Sequence, residues 1–433
     1  MTPATWSVAA SAATIIGVAI TYLAFRKGRS PSKLAHAAAT GAAFAEVRSY
    51  LEHERPSLTA AAANGWSTRW AAPASLRYLS TAFYTVQEWI PIHPLPIARI
   101  NVSFEPTDLV SWSRSPFWPK QSLLPSTARG VRHERYSEAY ETVCHPTPEQ
   151  FHDGLSYRLT GCDLRGSHPA LRFGLARFSD FFDICEGQAH QFAERRIGHA
   201  GRSRHASHEL VGRLRQVSGN LASRAADPFN LAQRPVPLGI STLTLRRTGA
   251  GVTFYLHDRS LTHVASAGGM IHLLPAGLFQ PGSRSSPGLK RDCSLVRNIA
   301  REYGEELLSV EEARGETAVS TDWLTEGPLA GFAASLDEGR LRIWCLGMGL
   351  DPLTLWCDMM TVAVFDDELF CRWFPTLKPN YEGTVAGVAK GDQVMGHPFT
   401  ESSVSAFLDD RRIAPVAAAC LKSAWEQRHQ LIF

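Results

Sequence analysis

Arg301-Glu302-Tyr303-Gly304-Glu305-Glu306-Leu307-Leu308 is the stretch on which the reading of this chain turns. It places three carboxylates and an arginine close together, and the spacing predicts a helix over Asp292–Leu308. Val296, Ile299, Ala300, Tyr303 and Leu307 recur at helical spacing and cluster on one side. Glu302, Glu305 and Glu306 are related by i, i+3 and i+4, so they take a different side. Like charges on one face repel each other unless a cation sits among them or they point into water. Arg301 stands four residues before Glu305, the spacing at which it pairs with that carboxylate and fixes its rotamer. Hard oxygen donors of this kind suit Mg²⁺ or Mn²⁺, which bridge phosphate oxygens and activate water. An exposed acidic helix face is the plain alternative.

Upstream of the helix the pattern is that of a sheet. Ile240–Arg246 alternates as a strand does, Gly249–Gly251 reads as a turn, and Val252–Leu256 reads as the hairpin partner. Ile271–Leu274 is a short apolar run that leads into Pro275-Ala276-Gly277 and then a Ser/Gly/Pro loop to Gly288. Downstream, Leu341–Leu346 and Met360–Phe365 read as further strands. Val404–Asp409 and Pro415–His429 read as helices.

These residues resemble the signature of the Nudix hydrolases, an arginine, a glutamate and a paired glutamate on one helix. Arg301, Glu302, Glu305 and Glu306 match position by position, and Leu273-Leu274-Pro275-Ala276-Gly277 is similar to the strand and turn that lead into the family's loop. The chain departs from the pattern at Pro287 (with Gly288 adjacent), at Cys293 (with Asp292 adjacent), at Tyr303 and at Leu308. A wider likeness covers roughly residues 150–433, through YRL at 157–159, FFD at 181–183, HLLPAGLFQP at 272–281, GLDPLTL at 349–355, NYEG at 380–383 and CLKSAW at 420–425. It resembles a group of actinobacterial Nudix-related proteins.

The resemblance implies an α/β fold, a Nudix-like mixed sheet between helices over 236–433. It implies Mg²⁺-dependent hydrolysis of a nucleoside diphosphate linked to another moiety, with Mg²⁺ (or Mn²⁺) held by Glu302, Glu305 and Glu306. One of these, or Glu382 of the Asn380-Tyr381-Glu382-Gly383 loop, is then the candidate to orient or deprotonate the attacking water. Arg301 positions Glu305. The alternative is a catalytically weak or inactive domain that senses a nucleotide and reports it at the membrane, as in bacterial defence or signalling. A purely structural scaffold is the third reading.

The rest of the chain sets the frame. At 433 residues there is length for two or three domains, and 44% hydrophobic with 20% charged residues is ordinary for a folded protein. The net charge of +3 points to no nucleic-acid partner. Eight cysteines are scattered singly with no CxxC pair, which signals neither a zinc site nor a disulfide framework. Ala4–Phe25 carries no charge and would span roughly 33 Å as a helix at about 1.5 Å per residue. Arg26, Lys27, Arg29 and Lys33 follow it, so the expectation is a single-pass anchor in the cell membrane over 1–30, with the body cytoplasmic. A signal peptide and a buried apolar helix are the rivals.

Residues 31–75 are Ala-rich and read as a helical linker. Residues 76–235 read as an α+β accessory region. Within it Ile97–Phe104, Ser156–Leu159 and Ala170–Phe173 are short strands, and Phe178–Glu194 is an amphipathic helix. Arg195–Arg224 carries seven arginines and three histidines against Glu209 alone. It reads as a solvated basic helix or linker, with anionic lipid as its functional alternative. Three further residues are candidates with plainer readings beside them. His272, just before the Pro275-Ala276-Gly277 turn, and Arg259, after Asp258, are each a candidate to meet a phosphate or a plain strand-end residue. Asp351 starts a turn or a helix.

Overall fold

The computed structural model describes residues 31–106, 109–118, 133–147, 151–200, 226–259, 267–282, 285–310, 322, 324–377, 383–386, 388–390 and 393–432. The expected anchor at 4–25 and Glu382 lie outside the described residues, as does most of the basic stretch 195–224. Among the described residues no helix is long and apolar enough to cross a membrane. Packing divides the chain into two units. One takes residues 1–50, 119–146 and 193–219, and the other takes 51–118, 147–192 and 220–433.

The first unit is helical where described. α1 spans Pro31–His53, with its first twenty residues in this unit. The Phe44 ring meets Tyr136 with centroids 5.4 Å apart, and the Arg48 guanidinium lies 5.1 Å from the Tyr140 ring centroid. Both tyrosines belong to a helix at Tyr136–Cys144.

The second unit is α/β. In chain order it begins with α2 (Arg55–Asn64), which has proline in its first turn as helix starts favour, and α3 (Trp66–Arg69). The strands β1 (Leu76–Arg77), β2 (Tyr84–Thr85), β3 (Leu95–Pro96) and β4 (Asn101–Phe104) follow. The strand expected from Ile97 starts only at Asn101, because Ile97–Arg99 closes into a 3₁₀ turn. With the Tyr136–Cys144 helix as α4, the next elements are β5 (Leu155–Asp163), β6 (Ala170–Arg177) and α5 (Phe178–Ala200). β4, β6 and β5 make a small sheet of their own.

The main sheet is built on β7 (Leu238–Thr248), which runs parallel to β13 (Cys357–Asp366) over ten residue pairs. Between them in the chain come β8 (Gly251–Phe254), β9 (Leu256–Arg259), β10 (Ile271–Leu273), β11 (Ala276–Leu278) and β12 (Leu341–Leu350). With His397–Pro398 as β15, the sheet order is β1-β2-β12-β13-β7-β8-β15, with β11 also on β7 and β3 also on β12. It is mixed, since β12 pairs antiparallel with β13 while β13 pairs parallel with β7. The expected hairpin partner Val252–Leu256 divides at Tyr255. β8 stays on β7, and β9 leaves to pair with β10 and β14 (Gly383–Ala386).

Alternation along β7 explains the two layers of core. Leu238 and Ile240 point into one apolar cluster with Ile299, Ala300, Tyr303 and Leu307. Leu243 and Leu245 point into the other, with Ala417, Leu421 and Ala424. Both faces of β7 are buried although its sequence alternates, because the Thr242 and Thr244 hydroxyls hydrogen-bond to Thr361 and to the Leu274 carbonyl. The helix that carries the carboxylates therefore covers one face. The C-terminal helix Pro415–Glu426 covers the other.

Candidate functional site

The helix expected over Asp292–Leu308 starts three residues later, behind a separate short helix. α6 runs Ser286–Asp292 and α7 runs Leu295–Leu308. Ser294 makes the break. Its backbone is extended, and its hydroxyl accepts the Arg297 N–H at 3.4 Å, as an N-cap serine does. The packed face of α7 is as its spacing predicts, with Ile299, Ala300, Tyr303 and Leu307 buried. Tyr303 adds a polar anchor. Its hydroxyl is 2.7 Å from Thr244 Oγ1, which donates to the Leu274 carbonyl at 2.6 Å. Burial pushes the Tyr303 hydroxyl well above its ordinary pKa, so it stays neutral.

The charged side of α7 does not face open water. Arg301, Glu302 and Glu306 are buried at 8%, 7% and 3% exposure, and Glu305 is half-buried. Arg301 donates to Glu302 Oε1 at 2.6 Å and to Asn298 Oδ1 at 2.9 Å. Its Nε stands 3.5 Å from Glu305 Oε1, the expected i, i+4 pair. Glu306 Oε2 accepts the Ala276 N–H at 3.2 Å and lies 3.9 Å from His257 Nδ1.

What this cluster holds is β11. Gly277 pairs with Ile240 of β7, and the flanking bonds Thr242 N–H to Pro275 O and Phe279 N–H to Leu238 O follow the same alternation. The backbone groups of residues 276, 278 and 280 therefore point away from β7. α7 meets three of these groups. Glu306 takes the Ala276 N–H, and Arg301 donates to the Leu278 carbonyl at 3.1 Å and the Gln280 carbonyl at 2.8 Å. A Cβ built at Gly277 would clash with the Glu302 carboxylate, so that acid rests directly on the strand's backbone.

The carboxylates expected to hold Mg²⁺ or Mn²⁺ are thus engaged with Arg301, Asn298 and the Ala276 amide. Among the described residues no three His, Cys, Asp or Glu side chains group as a metal-holding set. A divalent cation needs several oxygens converging on one point, so Glu302 and Glu306 would have to leave these partners to hold one.

β11 is also one wall of a cavity of about 170 Å³. Gly239 and Ser241 of β7, Asp358 of β13, Arg259 of β9 and His272 of β10 line it, together with Arg55 and Thr59 of α2. Asp351, Thr354 and Trp356, from the turn between β12 and β13, complete its polar lining. Glu302, Glu305 and Glu306 do not line it. Arg55 reaches the cavity from a buried pairing with Glu186 at 3.0 Å. Burial drives the His272 pKa down to about 3, with the positive charge of Arg259 and the neighbouring His257 adding to it. Its imidazole is neutral at physiological pH. Burial likewise raises the Asp358 carboxyl to about 7, against the hydrogen bond from Ser241. The Asp351 carboxyl is raised by burial too, against hydrogen bonds from Thr354.

Two candidates from the sequence, His272 and Arg259, thus meet in the cavity, and Asp351 joins them as the cap of a turn. Arg55, Ser241, Trp356 and Asp358 were not singled out. Asp358 left one signal: a lone acid inside the apolar run Trp356–Val364, where an unpaired carboxylate has no place on a buried strand. Arg55 left none, because only the fold brings α2 to β7. No protein-family model and no curated protein matches this chain.

Proposed function

We propose that this chain is a Nudix-like nucleotide-binding protein whose ligand enters the cavity between β7, β11 and α2. The observation that carries the reading is the Arg259 guanidinium on the wall of a cavity bounded by β11, with Arg55 beside it in its pairing with Glu186. Arginine meets phosphate with two parallel hydrogen bonds, so a phosphorylated ligand is the chemistry such a wall favours. The α7 charges support recognition over turnover, because they hold β11 in place. In the tethered reading, binding at this cavity is what a membrane-anchored body would report.

The second reading is Mg²⁺-dependent hydrolysis of a nucleoside diphosphate linked to another moiety. Glu305 favours it, since it is the most exposed of the three glutamates at 15% of its side chain and is paired by Arg301. The test uses the full-length chain, screened by calorimetry and product analysis against ADP-ribose, NAD, nucleotide sugars and dinucleotide polyphosphates, with and without Mg²⁺. Binding without turnover, weakened by Arg259→Ala and retained after Glu305→Gln with Glu306→Gln, supports recognition. Turnover lost in that double variant supports the hydrolase. Neither binding nor turnover with any of the panel would sink both.

A further inference from the structure

The two carboxylates of the cavity are not equivalent. Asp351 Oδ1 accepts from the Leu353 N–H at 2.9 Å, the Thr354 N–H at 2.8 Å and the Thr354 hydroxyl at 2.9 Å. It is committed to its turn. The Asp358 carboxylate accepts one hydrogen bond among the described residues, from Ser241 Oγ at 3.1 Å. Gly239 stands opposite it across the strand pair, and a Cβ there would clash with Asp358 Oδ1. The glycine leaves that oxygen its room.

Two more polar groups on the same lining are unmet. His272 is 7% exposed, and its Nδ1 has no well-formed hydrogen bond among the described residues. The same holds for the Trp356 indole N–H. A buried polar atom left unpaired costs about 1–3 kcal/mol, and a ligand that pairs it recovers that cost. Size narrows the ligand. An apolar cavity of about 150 Å³ holds benzene, so about 170 Å³ takes a small flat group.

We propose that the cavity selects a planar ring with two adjacent N–H donors, the lactam–amine edge of a guanine base, which the Asp358 carboxylate reads. This rests on the nucleotide reading above and names the part of the nucleotide that enters. Guanine offers both donors to the two carboxylate oxygens. Adenine offers one donor beside a ring acceptor, and that acceptor would face an oxygen lone pair. Burial holds the Asp358 carboxyl at about 7. Paired donors favour its ionised form, so binding releases a proton from the fraction that carries one. The groups that face Asp358 are Ser241 from β7, Arg259 from β9, His272 from β10, Asp351 from the turn and Arg55 from α2.

Calorimetry on the full-length chain with GDP, ADP and XDP tests this. GDP should bind tighter than ADP by roughly tenfold to hundredfold, the range a bidentate pair gives. Its affinity should rise as pH climbs through about 7 and then level. Asp358→Asn should lose the preference for GDP and gain XDP, because xanthine carries a carbonyl where guanine carries its amine. Equal affinity for GDP and ADP, or a preference untouched by Asp358→Asn, overturns the guanine assignment and leaves the nucleotide reading standing. No binding of any of the three nucleotides overturns both. Should Asp358→Asn fail to fold, the native GDP/ADP ratio and its pH slope decide.

Discussion

Glu302 occupies the space in which a side chain at Gly277 would stand. The carboxylate sits on the backbone of β11 and is held there by Arg301 at 2.6 Å, so a strand and a helix charge are fitted to each other at one glycine. Gly277→Ala should therefore push Glu302 off Arg301. We expect a loss of about 1–3 kcal/mol in denaturant unfolding, the usual cost of overpacking. Gly277→Ala with Glu302→Ala should regain part of it. A single variant as stable as the native chain would show that Glu302 has somewhere else to go.

Arg301 donates to four partners at once: Glu302 and Asn298 on its own helix, and two carbonyls beyond it. Removing it as Arg301→Ala leaves buried carboxylate behind, a change that costs about 3–5 kcal/mol in comparable sites. Arg301→Lys should rescue little, because an ammonium lacks the planar fork that reaches both sides. Thermal melts of the two variants check this, and a lysine variant melting with the native chain would refute it.

Arg55 and Glu186 form a buried pair, with side chains 4% and 0% exposed. Arg55→Ala removes the guanidinium from a buried acid and should destabilise by about 3 kcal/mol or more. Arg55→Met with Glu186→Leu should recover most of that, since well-packed apolar residues often replace such pairs without loss. A double variant no better than Arg55→Ala would contradict it.

Stability should respond to pH in two windows. His272 binds its proton less readily in the folded chain, near 3, than its ordinary 6.5. Its contribution is present above about 6.5 and drains as pH falls toward 3. Asp358 runs the other way, binding its proton more readily when folded, near 7 against 3.8. Its contribution is complete below 3.8 and is lost as pH rises through about 7. Asp358→Asn should thus melt progressively higher than the native chain as pH rises across that range. His272→Gln should flatten the acid limb. Parallel melting curves at all pH values would show that neither group titrates as its burial requires.

The main strands were legible because their chemistry is local. Ile240–Arg246 alternates, Leu341–Leu346 and Met360–Phe365 are apolar and β-branched, and each lies inside an observed strand. The pairing of Arg301 with Glu305 was legible for the same reason, as i, i+4 neighbours on one helix. Its shorter contact with Glu302 was not, since adjacent helix residues point apart and only a long side chain bending toward β11 brings them together. The start at Ser294 was placed three residues early because the apolar set begins only at Val296, and the capping hydroxyl is what marks the first turn. The cavity was illegible as a whole. Its lining comes from α2, five strands and a turn, the farthest of them hundreds of residues apart, and no local pattern joins them.

Among the described strands β11 pairs with β7 alone, at a boundary of the sheet. A strand in that position offers a row of bare amides and carbonyls on which another chain can build, the usual beginning of aggregation. Here Arg301 and Glu306 occupy those groups as a neighbouring strand would. The residues that look most like reaction machinery are also what keeps this border of the sheet closed to strangers, so weakening them would be felt in solubility before it was felt in any assay of turnover.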